Sequence, residues 1–541
     1  MKTPISAIPK FTLRFAGLFM LVLCGFNLHA AQTVITSKGT LVGAQLPDSK
    51  VVAFKGIPFA TPPTGTLRWQ SPQPMKAWHG KRDATNFADQ CMQLPLFSDM
   101  KFRSSGVSED CLYLNVWTPS TAPTKSLPVL LYFYGGGFAA GDGSEPRYDG
   151  ASMAENDMIV ITANYRLGIF GLLAHPQLSA KTTYDGSGNY TFMDQIAALK
   201  WTVKNIAAFG GDSNRITIAG ESAGSLSVSA LMASPLSKDL IAGAIGESGS
   251  LVGPTLRIIS LNEAEQTGEK LSAALGSEQP LSIKELRKMP AKELLDRSTE
   301  AGFQWFLPTI DKHVFPASPQ QLFSQNLQAQ VPLLAGNNSQ EGSYSQIIGK
   351  GNEDGNITKA HYIAAIKKLY PEQYKRVLAL YPASTSEKIM DAAQALASDR
   401  FISFSTWNWM DLATEKSKQP GFYYEYSHIR PAPLLIDGEQ NSNKETGARG
   451  AVHSAEIEYA LGNLDTHNVY HWNKDDYKVS DIMQSYFVNF IKTGNPNGET
   501  LPKWPLFSEG KQININVETK AEDIKYLRKR YEFHRQYYSL K

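Results

Sequence analysis

The stretch RITIAGESAGSLSVSAL, residues 215–231, decides the fold of this chain. Its first five residues form a short β-branched run that predicts a buried strand, and the residues after 224 can continue as a helix. The pentapeptide GESAG between them fits G-x-S-x-G, whose glycines permit a sharp strand-to-helix turn that exposes the serine hydroxyl. Ser222 is therefore a candidate nucleophile. A Gly/Ser-rich turn without chemistry is the alternative, because the pentapeptide alone also occurs by chance.

Short apolar runs like this one alternate along the chain with longer segments of helical spacing. Three further runs predict buried strands: residues 129–134 (VLLYFY), 158–163 (MIVITA) and 331–335 (VPLLA). Residues 191–209 and 522–538 predict helices. This alternation is typical of an α/β fold with a central, mostly parallel sheet flanked by helices. No repeat, low-complexity tract or linker divides the sequence, so we expect residues 32–541 to form a single domain.

The overall charge is nearly neutral, which argues against nucleic acid as a partner. The 541 residues include 53 Lys+Arg and 51 Asp+Glu, a formal net charge of +2. A phosphate backbone attracts a strongly basic surface, which this balance does not supply.

The N-terminal residues predict a secretory signal. A basic start precedes the apolar run of residues 15–26, and the small residues Ala30 and Ala31 mark the expected cleavage region. Crossing a membrane takes about 20 apolar residues, so this run is too short for a membrane span. We therefore expect residues 1–31 to be a signal peptide and the mature chain to be secreted or periplasmic.

Export changes the interpretation of the three cysteines. Cys24 lies in the predicted signal, which leaves Cys91 and Cys111. In an exported chain an even pair favours a disulfide, and closing a loop of about 20 residues is worth about 3 kcal/mol in the chain-entropy model. Two buried free thiols are the alternative.

A serine nucleophile also needs a base, an acid that orients it, and donors for the oxyanion. Residues 135–137 (GGG) follow a predicted strand, and three glycines allow backbone N–H groups to approach a carbonyl oxygen; a glycine hinge is the alternative. The chain order serine, acid, histidine leaves seven candidate bases open: His313, His361, His428, His453, His467, His471 and His534.

Two long segments carry a family resemblance. Residues 109–119 (EDCLYLNVWTP) and 209–224 (FGGDSNRITIAGESAG) resemble the two signature stretches of the type-B carboxylesterase family, which comprises carboxylesterases, cholinesterases and related lipases. Residues 164–171 (NYRLGIFG) are similar to the family pattern as well. The resemblance runs from about Gly39 to Trp504 and implies an α/β-hydrolase fold with large insertions that form an active-site gorge.

The resemblance also implies the roles of individual residues. It places the nucleophile at Ser222, the acid at Glu341 and the base at His453. It assigns the oxyanion hole to the backbone N–H groups of Gly136, Gly137 and Ala223, and it agrees with a disulfide between Cys91 and Cys111. A surface carboxylate is the alternative for Glu341, and His428 is the nearest rival base.

Three neighbours of the predicted triad are singled out by the same resemblance. Glu221 and Ser248 correspond to positions in the hydrogen-bond network of the site, with a purely structural role as the alternative. Glu247 departs from the family, where glutamine is usual, and is expected to add charge near the pocket.

The sequence says less about the substrate. Tyr344, Trp305 and Phe306 are candidate pocket residues, with core packing as the alternative for each. The loop between the paired cysteines lacks the tryptophan that binds choline in cholinesterases. We therefore expect a serine carboxylesterase that acts on small or aryl esters through an acyl-enzyme, without metal or organic cofactor. A lipase, an acyltransferase or a non-catalytic adhesion module of the same fold remain alternatives.

Overall fold

The structure is a computed structural model that describes residues 31–121, 125–349, 356–434 and 448–539. The predicted signal lies outside the described residues except for Ala31, which begins the first strand. In the described part of the chain, no helix combines the length and apolar character needed to cross a membrane.

The described residues form seventeen strands, most of them short. In chain order they are β1 Ala31–Ile35, β2 Thr40–Gln45, β3 Val52–Pro58, β4 Lys81–Asp83, β5 Gln90–Cys91, β6 Val107–Ser108, β7 Tyr113–Thr118, β8 Leu127–Phe133, β9 Ile159–Ala163, β10 Gly211–Glu221, β11 Gly243–Glu247, β12 Ile259–Ser260, β13 Thr309–Ile310, β14 Leu333–Asn338, β15 Gly421–Tyr426, β16 Lys511–Ile515 and β17 Lys520–Asp523.

Seventeen α-helices connect and cover these strands within the same described ranges. They are α1 Ala151–Ala154, α2 Gly168–Leu172, α3 Pro176–Ser179, α4 Tyr190–Asn205, α5 Ala223–Ala233, α6 Leu261–Leu275, α7 Ile283–Lys288, α8 Ala291–Glu300, α9 Pro319–Ser324, α10 Ser345–Ile348, α11 Lys359–Leu369, α12 Tyr374–Leu380, α13 Ser386–Ser398, α14 Phe404–Glu415, α15 Ile457–Leu461, α16 Lys474–Thr493 and α17 Lys525–Ser539.

One large sheet organises the molecule. Its strand order is β1-β2-β3-β7-β9-β8-β10-β11-β14-β15-β16-β17, with β4 paired to β2. The seven strands from β9 to β16 in this order are parallel, while the four at one edge and β17 at the other are antiparallel. Helices cover the sheet, so its central strands are buried, which explains their nearly continuous apolar sequences.

The four strands predicted from apolar runs are confirmed as β8, β9, β10 and β14. The helix predicted over residues 191–209 is α4, which ends at Asn205 and continues as a 3₁₀ turn, Ile206–Phe209. The prediction of a C-terminal helix from residue 522 is wrong in its first turn. Residues 522 and 523 instead belong to β17, whose backbone pairs with β16.

The described residues form three apolar clusters, two of which are large cores. The larger surrounds the central sheet and includes Trp117, Trp407 and Trp409. The smaller holds together α10 to α13 around residues such as Tyr362 and Leu396. The larger core packs against the sheet and stabilises it.

The carboxyl ends of β8, β10, β11 and β14 meet at one edge of the sheet. In the strand register Phe133 lies beside Gly220, Glu221 beside Glu247, and Glu247 beside Gly336. The segments that follow these strands therefore converge on one place. In open α/β sheets this edge is where ligands bind.

Candidate active site

Ser222 sits on a strained turn between β10 and α5. Its φ of 53° and ψ of −119° place a non-glycine residue at positive φ. Two hydrogen bonds hold the turn: the Ser222 N–H donates to the Glu247 carbonyl at 2.8 Å, and the Leu226 N–H donates to the Ser222 carbonyl at 2.8 Å. A Cβ at Gly224 would lie 2.0 Å from the Phe133 carbonyl oxygen, so this position requires glycine. The turn presents the serine hydroxyl at the edge of the sheet.

The three residues predicted as a triad lie in hydrogen-bond contact. Nε2 of His453 is 2.9 Å from Oγ of Ser222, and Nδ1 of the same ring is 2.6 Å from Oε2 of Glu341. Ser222 follows β10 and Glu341 follows β14, so the parallel sheet brings them close, while His453 comes from a segment after β15. The arrangement connects a hydroxyl, an imidazole and a buried carboxylate in series.

A second buried carboxylate, Glu456, shares a hydrogen-bond partner with Glu341. It is not among the residues predicted from the sequence. Oε1 of Glu341 accepts hydrogen bonds from the Asn338 N–H at 2.6 Å and from Oγ of Ser248 at 2.5 Å. Oγ of Ser248 also lies 3.2 Å from Glu456, whose other oxygen accepts from Nδ2 of Asn338 at 2.5 Å. The short spacing in the sequence could have indicated this residue, because Glu456 comes only three residues after His453.

Glu221 contacts the base directly. Its Oε1 is 3.3 Å from Nε2 of His453, and burial raises the Glu221 pKa to about 8. Burial lowers the pKa of His453, but the Glu221 and Glu341 carboxylates outweigh it and raise that pKa above its ordinary value. Because each group shifts the pKa of the other, Glu221 and His453 titrate as a coupled pair.

Glu247, the departure from the family pattern, lies beneath the nucleophile. It is fully buried, and its Oε1 accepts a hydrogen bond from the Tyr132 hydroxyl at 3.0 Å. Burial, reinforced by Glu456, raises the Glu247 pKa well above its ordinary value. The environment of this carboxyl group therefore disfavours its charged form.

A cavity of about 1280 Å³ opens above Ser222 and His453. Gly136, Gly137 and Ala223, the residues predicted to form the oxyanion hole, line it. Gly136 has a φ of 111°, and a Cβ there would meet the Ala140 carbonyl oxygen at 2.2 Å. Only glycine fits that position, and it leaves the backbone open to a substrate oxygen.

The three candidate pocket residues separate into one that reaches the cavity and two that do not. Trp305 lines the cavity and is 56% exposed, with its ring close to Gly137. Phe306 instead packs into the larger core, and Tyr344 packs against the smaller core around α10 to α13. Their side chains therefore do not contribute to the described cavity wall.

Other wall residues were not anticipated. Phe401 lies on a π-helical turn, Asp399–Ser403, and its ring meets the His453 imidazole edge-on with centroids 5.3 Å apart. Arg147 and Arg430 also line the cavity. The rival base, His428, lies outside the wall, where its Nε2 is 2.7 Å from Oδ1 of Asp476. Across the described ranges, no group of three or more His, Cys, Asp or Glu is placed to hold a metal ion.

The predicted disulfide is present and closes a loop that lines one side of the cavity. Cys91 and Cys111 are bonded, with Cα atoms 4.9 Å apart. Residues 97–101, which lie between them, line the cavity. The disulfide thus closes the loop that forms this part of the wall.

The mostly parallel sheet and the strained serine turn between β10 and α5 define an α/β hydrolase. The profile of the carboxylesterase family matches residues 30–534. The chain belongs to the carboxylesterase family and is a carboxylic-ester hydrolase.

Similar proteins include relatives from bacteria and animals. Fumonisin B1 esterase of Sphingopyxis macrogoltabida is 32% identical over 491 residues, covering 88% of this chain and 85% of the relative. Carboxylesterase 5A of Canis lupus familiaris is 33% identical, with coverage of 90% and 85%. Acetylcholinesterase of Electrophorus electricus is 30% identical, with coverage of 94% and 89%. The alignments therefore cover most of this chain and most of each relative.

Proposed function

We propose that Ser222, His453 and Glu341 form the catalytic triad of a serine esterase that works through an acyl-enzyme. The observation that carries the proposal is the hydrogen-bond series from Ser222 Oγ through both ring nitrogens of His453 to Glu341. Glu341 fixes the tautomer that leaves Nε2 free to accept the serine proton.

Acylation follows from this geometry. His453 takes the proton of Ser222 as Oγ attacks the ester carbonyl carbon, and Glu341 stabilises the imidazolium that forms. The N–H groups of Gly136, Gly137 and Ala223 stabilise the oxyanion; removing one such donor typically costs about 3 kcal/mol. His453 then protonates the leaving alcohol.

Deacylation repeats the same steps with water. His453 deprotonates a water molecule that attacks the acyl carbonyl, and Ser222 recovers the proton as the carboxylic acid leaves. The buried Glu247 under the turn and the Ser248–Glu456 pair behind Glu341 support the geometry without taking part in bond changes.

The substrate we propose is a small or aryl carboxylic ester. Trp305, Phe401 and Ile429 provide apolar wall near the nucleophile, which suits an aryl or short alkyl group. We further propose that residues 32–541 act as one domain and that the mature protein is secreted or periplasmic. The disulfide supports export, since such bonds persist in oxidising compartments.

The test is a p-nitrophenyl ester series of increasing acyl length, measured on the wild type, Ser222→Ala and the control Ser324→Ala. We expect turnover of acetate and butyrate by the wild type and the control, and a loss of kcat on the order of 10⁴ or more in Ser222→Ala. Activity confined to long chains at an oil interface would indicate a lipase. Full activity of Ser222→Ala would refute the assigned nucleophile.

A further inference from the structure

Three cationic side chains line the catalytic cavity although the proposed mechanism uses none of them. They are Lys101, from the disulfide-closed loop, Arg147, from the turn after β8, and Arg430, from the segment after β15. Three distant parts of the chain thus contribute a cationic residue to the same cavity. Tyr148 and Glu221 also line the cavity, and the charge of Arg147 acts electrostatically on Glu221, beside the nucleophile.

Arg147 is almost completely buried, with 2% of its side chain exposed. Its Nε is 2.8 Å from Oε1 of Glu145, and its Nη1 is 3.5 Å from Oδ2 of Asp99. Burial raises the pKa of Glu145 to about 7, against the opposing effect of Arg147. Burial lowers the pKa of Arg147, but Glu145, Glu458 and Asp99 outweigh that effect and raise it, so the guanidinium stays charged in the cavity wall.

Arg430 is held over the face of an aromatic ring. Its guanidinium carbon is 4.4 Å from the ring centroid of Tyr470, another cavity residue, and its Nη1 is 3.8 Å from Oε1 of Glu458. The same Glu458 oxygen lies 2.7 Å from Nδ1 of His467. Glu458 therefore contacts both Arg430 and His467.

Guanidinium groups in a cavity wall favour an anionic ligand. Arginine presents a planar fork of N–H donors that matches a carboxylate, and such charge-assisted bonds are stronger where water is excluded. Placing two arginines there carries a desolvation cost that an anionic ligand would offset. A purely apolar ester gains nothing from them.

We propose that Lys101, Arg147 and Arg430 form a subsite for a carboxylate, so that the preferred substrates are esters that carry a carboxylate in addition to the ester bond. The inference rests on the proposed function, because it concerns the same cavity and the same nucleophile. It narrows the substrate class from small or aryl esters in general to anionic members of that class.

The experiment compares matched esters that differ only in charge. One pair, 4-acetoxybenzoate and 4-acetoxybenzamide, places the charge in the leaving group; the other, monomethyl glutarate and methyl pentanoate, places it in the acyl group. We expect kcat/KM to be at least tenfold higher for the anion in one of the pairs. The preference should shrink as sodium chloride is raised to 0.5 M. A preference for the neutral ester in both pairs would overturn the proposal.

Variants locate the subsite. Arg430→Gln and the charge-balanced double variant Arg147→Gln with Glu145→Gln should each lower the anion-to-neutral ratio of kcat/KM at least tenfold. Arg297→Gln, an exposed arginine on α8 paired with Glu293, is the matched control and should keep the wild-type ratio. An unchanged ratio in folded variants would refute the subsite, as would an equal loss on both esters.

Two further measurements keep the result decisive. If the double variant does not fold, as judged by circular dichroism, the wild-type ester pairs and Arg430→Gln still decide the matter. Inhibition of neutral-ester hydrolysis by pentanoate should be at least tenfold stronger than by the uncharged pentanamide. Equal inhibition would contradict the subsite. Absence of turnover of both the anionic and the neutral esters by the wild type would instead count against the proposed function itself.

Discussion

Glu341 and His453 lie 2.6 Å apart, joined through Oε2 and Nδ1, although 112 residues separate them in the chain. The carboxylate is buried, and its second oxygen is already occupied by Asn338 and Ser248. Its orientation toward the imidazole is therefore fixed before substrate binds. Such preorganisation costs nothing at the moment of reaction.

Replacing this carboxylate should abolish most of the activity without unfolding the protein. In Glu341→Gln the side-chain amide can donate to Nδ1, which favours the tautomer with the proton on Nε2 and disables the base. We expect kcat on p-nitrophenyl acetate to fall on the order of 10³ to 10⁴, with KM changed less than threefold. Glu387→Gln, an exposed carboxylate, is the control. A loss below tenfold would mean that Glu341 does not orient the base.

Glu221 should set the pH dependence. The base must be neutral to accept the serine proton, so kcat/KM falls as pH drops through the pKa of His453. A negative charge at Glu221 raises that pKa, so Glu221→Gln should lower it and move the acidic limb of the profile to lower pH. The measurement is kcat/KM from pH 4 to 10. If the acidic limb of the Glu221→Gln profile stayed at its wild-type pH or moved to higher pH, the proposed coupling between Glu221 and His453 would be contradicted.

The disulfide should stabilise the cavity wall as well as the fold. Replacing both Cys91 and Cys111 by serine should cost about 3 kcal/mol of unfolding free energy in the chain-entropy model. Residues 97–101 line the cavity inside that loop, so KM for aryl esters should rise too. Thermal unfolding and steady-state kinetics measure both effects. Unchanged stability and KM would show that the loop is held by its other contacts.

Phe401 should position the catalytic base. Its ring meets the His453 imidazole edge-on at 5.3 Å, and it stands on the π-helical turn, an arrangement frequent at functional sites. Phe401→Ala should lower kcat about tenfold and broaden the pH profile, and Phe401→Tyr should restore most of kcat. Exposed Tyr526→Ala provides the control. An effect on KM alone would indicate that Phe401 only shapes the pocket.

The sequence predicted the parts of this site that depend on local motifs. The strand before Ser222, the glycine turn and the conformation of residues 135–137 follow from glycine and β-branched residues at short spacing, and β8, β10 and β14 formed where apolar runs indicated. The choice of His453 among seven histidines came from the family resemblance, because chain order alone left the choice open.

Side-chain direction and long-range convergence explain what the sequence did not reveal. Trp305 reaches the cavity while its neighbour Phe306 points into the core, a difference set by tertiary packing. Tyr344 packs on a second core built by α10 to α13. Arg147 and Arg430 are 283 positions apart in the numbering, and no local pattern relates them.

The most direct test of the central claim is intact-mass measurement after reaction with a fluorophosphonate, followed by peptide mapping. The reagent forms a stable phosphonyl ester with an activated serine. We expect one adduct per chain, located on Ser222, and no adduct in Ser222→Ala or after heat denaturation. An adduct on another residue, or labelling of Ser222→Ala at the wild-type rate, would contradict the account.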